Sequence, residues 1–401
     1  MKFMLFIFPT VPAFSLAERE RLRPIAHRND RVQQMIEEAV ELTQMAEDLG
    51  FDAVAVNEHH FHTEGIETGG QTPLQTYLAA ATKRIKIGII GYVLPSWDPI
   101  RLATETAWMD QVTKGRIFVG MAAGYQSRWL GTLGQMYGVK GDITDKEDSA
   151  RIRDVFREIY DIMKLAWADE PFSYEGKYYQ VPFPKNGGIK WAPHQLTQTC
   201  GAPGELNASG LIQKISPIPK PYQKPHPPLF QAQTHSESTF RWCAREGVIP
   251  ISQMSIPSQC KQMAEIYREE ARSVGRELKF GENTGVSRTI VFGANKQDAL
   301  EHGAKCQFNL WKHIWGPYGF FETFRLPGEK GEVPITVERL VEAKSWLVGT
   351  PDDVKRQMEE LVENANPEWL LQITDQGFTS LYEAKKQIEL LGTKILPEYR
   401  D

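Results

Sequence analysis

Along the chain, short apolar runs alternate with longer stretches whose apolar residues fall at helical spacing. The first run, Lys2–Phe8, is stopped by Pro9 and reads as a buried strand. After a polar segment over 10–30, Val32, Met35, Ile36, Ala39, Val40, Leu42, Thr43, Ala46 and Leu49 mark one face of a helix that ends at Gly50. Ala53–Val56 is the second strand. A polar loop with Gly65, Gly69 and Gly70 leads to a helix over about 73–82 and a third strand at 85–91. A helix over about 99–115 and a strand at 117–121 follow. The same rhythm then gives a helix at about 149–168, a strand at 228–232, a helix from near Ser236 and a strand at 248–251. It ends with a helix at about 257–274, a strand at 285–292, a helix at 351–363, a strand at 369–373 and a helix at 380–391.

Repeated strand and helix units imply right-handed parallel crossovers, which close either as a doubly wound sheet or as a barrel. Eight strands with interleaved helices favour the barrel, so the expected fold is α/β, a (β/α)8 TIM barrel, with residues 1–401 as a single domain. Two stretches interrupt the rhythm, at about 172–222 and 306–336, and loops this long in a compact domain usually cover a site. Both are expected as insertions near the carboxyl-end mouth of the barrel. Oligomer contacts and surface Ω-loops are the alternative reading.

The chain has 401 residues, 41% of them hydrophobic, and a formal net charge of −5 with no long basic run. It can bury a large core, and nucleic acid is an unsuitable partner. The four cysteines, Cys200, Cys243, Cys260 and Cys306, match neither a metal pattern nor a dense disulfide framework. A cytoplasmic location is expected. The N-terminal apolar run is too short for a membrane span or a signal peptide, and no apolar run of spanning length occurs elsewhere.

The chemistry is expected where the apolar run 53–56 turns polar, at Asn57-Glu58-His59-His60-Phe61, because α/β barrels carry reactive groups at the carboxyl ends of their strands. Imidazole changes charge near neutral pH, and a neighbouring carboxylate can fix its tautomer, so Glu58 with His59 or His60 can form an acid–base unit. The bland alternative is a pair of structural histidines. No metal site is expected, since adjacent ligands on a strand diverge and no second cluster has zinc-like spacing. Between the fifth strand and its helix, Thr234-His235-Ser236-Glu237-Ser238-Thr239 gathers hydroxyls and backbone N–H groups at a positive helix end, which suits a phosphate; a plain N-cap by Ser236 explains the same letters.

These residues resemble the bacterial luciferase-like, flavin-dependent monooxygenase family. The resemblance rests on the Glu-His-His-Phe element, Pro95 through Ala103, Gly115-Arg116, Gly124-Tyr125, Phe172 through Tyr179, Lys220 through Pro228 and Val348-Gly349-Thr350-Pro351. It implies a barrel that binds reduced FMN at its mouth and uses O2 through a peroxyflavin to oxygenate an organic substrate, by aldehyde or ketone oxidation or by hydroxylation. It implies His59 as catalytic base with Glu58 and His60 beside it, and His235, Ser236, Glu237 and Thr239 at the flavin phosphate. Tyr92, Ala122, Ala123 and Tyr125 are the other candidate cofactor residues; Tyr92 is equally readable as core. Some members carry an arginine where this chain has Ala123, and Arg128 is a candidate replacement donor. No Gly-x-Gly-x-x-Gly fingerprint follows a strand, so a separate flavin reductase is expected as partner. A homodimer is implied by the resemblance. The alternatives are a deazaflavin-dependent hydride-transfer enzyme and a non-catalytic flavin-binding subunit. For the substrate, the aromatic residues Trp311, Trp315, Tyr318, Phe320 and Phe321 offer an apolar pocket for a lipophilic molecule, or else dimer contacts.

Overall fold

Six of the seven residues of Lys2–Phe8 are buried, as befits a parallel strand covered on both faces. The computed structural model describes residues 1–69, 71–184, 187–233 and 236–400. Besides a two-residue antiparallel pair, Tyr174–Glu175 with Gln180–Val181, its strands are β1 Lys2–Phe8, β2 Ala53–Val56, β3 Lys86–Val93, β4 Ile117–Ala122, β5 Leu229–Gln233, β6 Ile249–Ser252, β7 Gly285–Phe292, β8 Trp346–Gly349 and β9 Trp369–Asp375. Two compact units are distinguished, residues 1–92 with 229–401, and residues 93–228.

Within the first unit the strands pair in parallel in the order β3-β2-β1-β9-β7-β6-β5, with β8 on the second half of β7. Ile7 is level with Val56, Val56 with Ile89 and Phe8 with Asp375. The carboxyl ends of β1, β2 and β9 therefore finish in one row, and Asn57 leaves the sheet there. Helix Asn29–Leu49 lays Met35, Ala39, Leu42 and Ala46 into the core and stops at Gly50, whose φ of 83° is left-handed and whose N–H closes onto Ala46 and Glu47 carbonyls. A Cβ at Gly50 would also meet Arg400 Nη1 at 2.7 Å.

The polar segment expected over 10–30 holds a short helix, Leu16–Leu22, capped by Ser15. Its charged letters gave no apolar period, because its one deeply buried side chain is Arg19. Strand β8 and helix Lys296–Cys306 are likewise additions to the expected elements. A four-residue apolar run directly before a helix carries too little period to be told apart from it.

The second insertion is folded around its own aromatic residues. Trp311 meets Trp315, Phe321 and Phe324 at ring-centroid distances of 4.4, 5.8 and 5.1 Å, and Trp315 meets Phe8, at the end of β1, at 5.2 Å. Trp311, Trp315 and Phe321 are buried and form a satellite core over the carboxyl end of β1.

In the second unit β4 is accompanied by helices Pro99–Thr113, N-capped by Asp98, and Lys146–Trp167, N-capped by Asp145. The first insertion is fastened to them. Glu158 accepts backbone N–H bonds from Lys177, Tyr178 and Tyr179 at 2.9, 2.9 and 2.7 Å, the Tyr179 hydroxyl donates to Asp98, and Asp110 holds both the backbone and side chain of Gln223 at 2.7 Å. Among the described residues no helix is long and apolar enough to cross a membrane.

Candidate active site

The residues after β2 turn inward as soon as the strand ends. Asn57, Glu58 and His59 are all buried. The expected pairing of Glu58 resolves in favour of the second histidine, since Glu58 Oε1 lies 2.9 Å from His60 Nε2. His59 takes different partners. Its Nδ1 is 3.0 Å from the Asn57 side-chain amide and 3.1 Å from Glu67 Oε2.

Glu67 was not among the residues singled out from the sequence. It lies in a loop bounded by Gly65 and Gly69, has a left-handed φ of 48° and is 0% exposed. Its backbone N–H donates to Thr10 Oγ1 at 3.1 Å. Neither carboxylate oxygen is hydrogen-bonded among the described residues, and Asn57 Oδ1 shares that condition. A carboxylate taken out of water without a donor is costly, so the contact with His59 is its main compensation. His62 stacks near His59, with ring centroids 5.3 Å apart, and its Nδ1 donates to the Ile66 carbonyl at 2.8 Å. Beside His62 a cleft of about 720 Å3 opens, with Met35, Ile36, Phe61 and Tyr77 among its walls.

Two further charged residues converge here from distant parts of the chain. Arg19 Nη2 donates to the Val11 carbonyl at 2.8 Å, and Nη1 to that of Glu64 at 3.2 Å. Burial pulls the guanidinium down to about 10, against the opposing pull of Asp375 and Glu18. Asp375, at the end of β9, is fully buried. Its Oδ1 accepts from the Gly377 N–H at 3.0 Å, while Oδ2 has no hydrogen-bond partner among the described residues. Burial pushes its carboxyl up to about 7; the Gly377 N–H, Arg19 and the Phe378 N–H oppose the rise, and Glu67 adds to it.

The other expected residues lie as follows. Tyr92 is fully buried, with its hydroxyl donating to Gln75 Oε1 at 2.6 Å, and Gln75 in turn donates to the Ile87 carbonyl at 3.1 Å. Ser236 is the N-cap of helix Glu237–Glu246, its Oγ accepting from the Thr239 N–H at 3.3 Å. The Glu237 carboxylate is spent on Arg241 at 2.9 Å, which leaves its backbone as the part that can face a ligand. His235 lies outside the described residues. In the second unit, Ala122 at the end of β4 and Ala123 and Tyr125 just after it are half-buried, with Gln126 Nε2 donating to the Tyr125 hydroxyl at 3.1 Å, and Arg128 is exposed. Gly124 there has a φ of 85°, and a Cβ would meet Val93 Cγ1 at 2.6 Å and Leu130 Cδ2 at 2.7 Å.

Residues 1–366 match the family model of luciferase-like monooxygenases. The chain is 24% identical over 374 residues to 3,6-diketocamphane 1,6-monooxygenase of Pseudomonas putida, covering 88% of this chain and 90% of that protein. Among solved structures, the oxygenating constituent of the 3,6-diketocamphane monooxygenase of P. putida, in complex with FMN, has a TM-score of 0.73 at 22% identity over 99% of this chain and 98% of that one. The coenzyme F420 dependent tetrahydromethanopterin reductase of Methanopyrus kandleri has a TM-score of 0.65 at 16% identity, covering 100% and 99%. The fold is thus the (β/α)8 barrel read from the strand count. With the family model covering most of its length, the chain belongs to the luciferase-like monooxygenases, an enzyme of flavin-dependent monooxygenase class.

Proposed function

We propose that the protein is an FMNH2-dependent monooxygenase of a two-component system, which takes reduced flavin from a separate reductase and oxygenates a lipophilic organic substrate with O2. The observation that carries this reading is the seating of His59 between Asn57 and the buried Glu67 carboxylate at the carboxyl end of β2. An imidazole whose Nδ1 is turned to a carboxylate keeps one orientation, so Nε2 is the nitrogen that takes and returns a proton. Glu67 holds the resulting positive charge. Glu58 steers His60 and keeps the second ring from competing for Glu67.

The residues present fit a flavin phosphate. Ser236, with the Glu237 and Thr239 backbone, stands at the N-terminus of a ten-residue helix, where N–H groups and the helix dipole favour a dianion. Bound there, FMN supplies the oxygen chemistry, and the chain supplies orientation, dryness and proton management. The diketocamphane monooxygenase relatives support a lipophilic, ketone-type substrate.

The test is oxygen uptake with chemically reduced FMN and candidate ketones, followed with His59→Ala. Turnover is expected to fall by about 10^2- to 10^4-fold, the usual worth of a positioned acid–base group, with flavin binding nearly unchanged. Absence of binding or oxidation of reduced FMN would remove the proposal. Anaerobic turnover with reduced deazaflavin alone would replace it with hydride transfer, and an unaltered His59→Ala protein would point to a binding subunit.

A further inference from the structure

We propose that the loop after β2 is a divalent transition-metal site, with zinc as the best-matched ion, built from His59, His62 and Glu67. One ligand atom from each lies within 4.8 Å of the other two. His59 Nδ1 faces Glu67 Oε2 at 3.1 Å and the Asn57 amide at 3.0 Å. If Asn57 presents its amide oxygen to Nδ1, two oxygens face the ring nitrogen and a positive centre among the three groups is favoured. A proton satisfies two of them; a metal ion satisfies all of them.

Four features favour the ion. Glu67 is 0% exposed, and both of its oxygens lack a hydrogen bond among the described residues, as does buried Asn57 Oδ1. Since the orientation of an amide is an assignment, turning Asn57 over brings that oxygen to His59 Nδ1 as a further donor. The Ile66 carbonyl takes the His62 Nδ1 proton at 2.8 Å, which gives Nε2 the ring lone pair, the arrangement by which metal-binding histidines are usually oriented. Tetrahedral zinc with bonds of about 2.0–2.2 Å separates its ligands by roughly 3.3 Å, close to the 3.1 Å between His59 and Glu67. Finally, His62 lines the cleft of about 720 Å3, which provides an entry path. Neither the divergence of neighbours on a strand nor zinc-like spacing along the chain reports on this grouping. The loop from His59 to Glu67 folds back, and its left-handed residues Phe61 and Glu67 are part of that reversal.

Metal binding itself does not depend on the monooxygenase reading. Its consequence does: an ion on His59 takes the base out of the acid–base cycle, so bound zinc inhibits. The experiment is zinc titration of the chelator-stripped full chain by calorimetry, repeated with Glu67→Gln, His62→Ala and His60→Ala, and with cobalt as a spectroscopic probe. One equivalent is expected to bind, with cobalt giving visible bands of tetrahedral intensity. Glu67→Gln and His62→Ala should weaken binding by more than the roughly 10- to 100-fold typical of an outer partner, and His60→Ala should leave it unchanged because His60 is held by Glu58. Absence of a stoichiometric site in the wild type, or wild-type affinity in either Glu67→Gln or His62→Ala, overturns the proposal whether or not reduced FMN is oxidised. Binding without inhibition would retain the site and instead count against His59 as base.

Discussion

Replacing Asp375 by Asn should make the protein more stable above neutral pH and leave it unaffected at about pH 4. The carboxyl is fully buried, and burial raises it from 3.8 to about 7. In the unfolded chain it loses its proton near its ordinary value, whereas the folded chain retains it up to about 7. The folded state therefore binds more protons between these limits, so the Asp375 contribution is complete below about pH 4 and is lost as the pH climbs through about 7. A rise of roughly three pKa units at about 1.36 kcal/mol each amounts to about 4 kcal/mol. Asn mimics the neutral acid and can still accept from the Gly377 N–H. The stability difference between variant and wild type should be near zero at about pH 4, about 2 kcal/mol at about pH 5.5 and about 4 kcal/mol above about pH 7. Urea unfolding of both proteins across this range measures it, and taking the difference at each pH cancels the other titrating groups. A difference that stays constant with pH, or a variant less stable in alkali, would refute the reasoning.

Two further outcomes test how the insertions are held. Glu158→Gln removes the charge that gathers three consecutive N–H groups. Charge-assisted bonds of this kind are worth about 1.5–3 kcal/mol, so amide exchange at Lys177, Tyr178 and Tyr179 should accelerate by about 10- to 100-fold, and unchanged protection would show that the loop is fastened elsewhere. Trp311→Ala empties the centre of the aromatic cluster, where Trp311 is 1% exposed, and should cost about 3–5 kcal/mol in denaturant unfolding; a loss below about 1 kcal/mol would mean that the cluster collapses to fill the gap.

Much of the scaffold was legible in the chain itself. Runs such as Phe3–Phe8 and Ala53–Val56 are unbroken and apolar because both faces of their strands are covered, and helix Asn29–Leu49 carries its buried stripe at helical spacing and its stop at Gly50. The position of Asn57-Glu58-His59-His60 at the end of such a strand was equally readable, since a change from apolar to polar letters marks where a strand leaves the core. Which partners those side chains take was decided only in three dimensions. Glu58 was the near carboxylate in sequence, yet it holds His60, while His59 meets Glu67 after a loop reversal. Arg19 and Asp375 come from opposite ends of the chain. Periodicity reports which face of a segment is buried, and it carries no information about a charged residue in an irregular loop. For Glu67, Arg19 and Asp375, burial and charge state arise from segments far apart in sequence that together exclude water, and that exclusion exists only in the folded molecule.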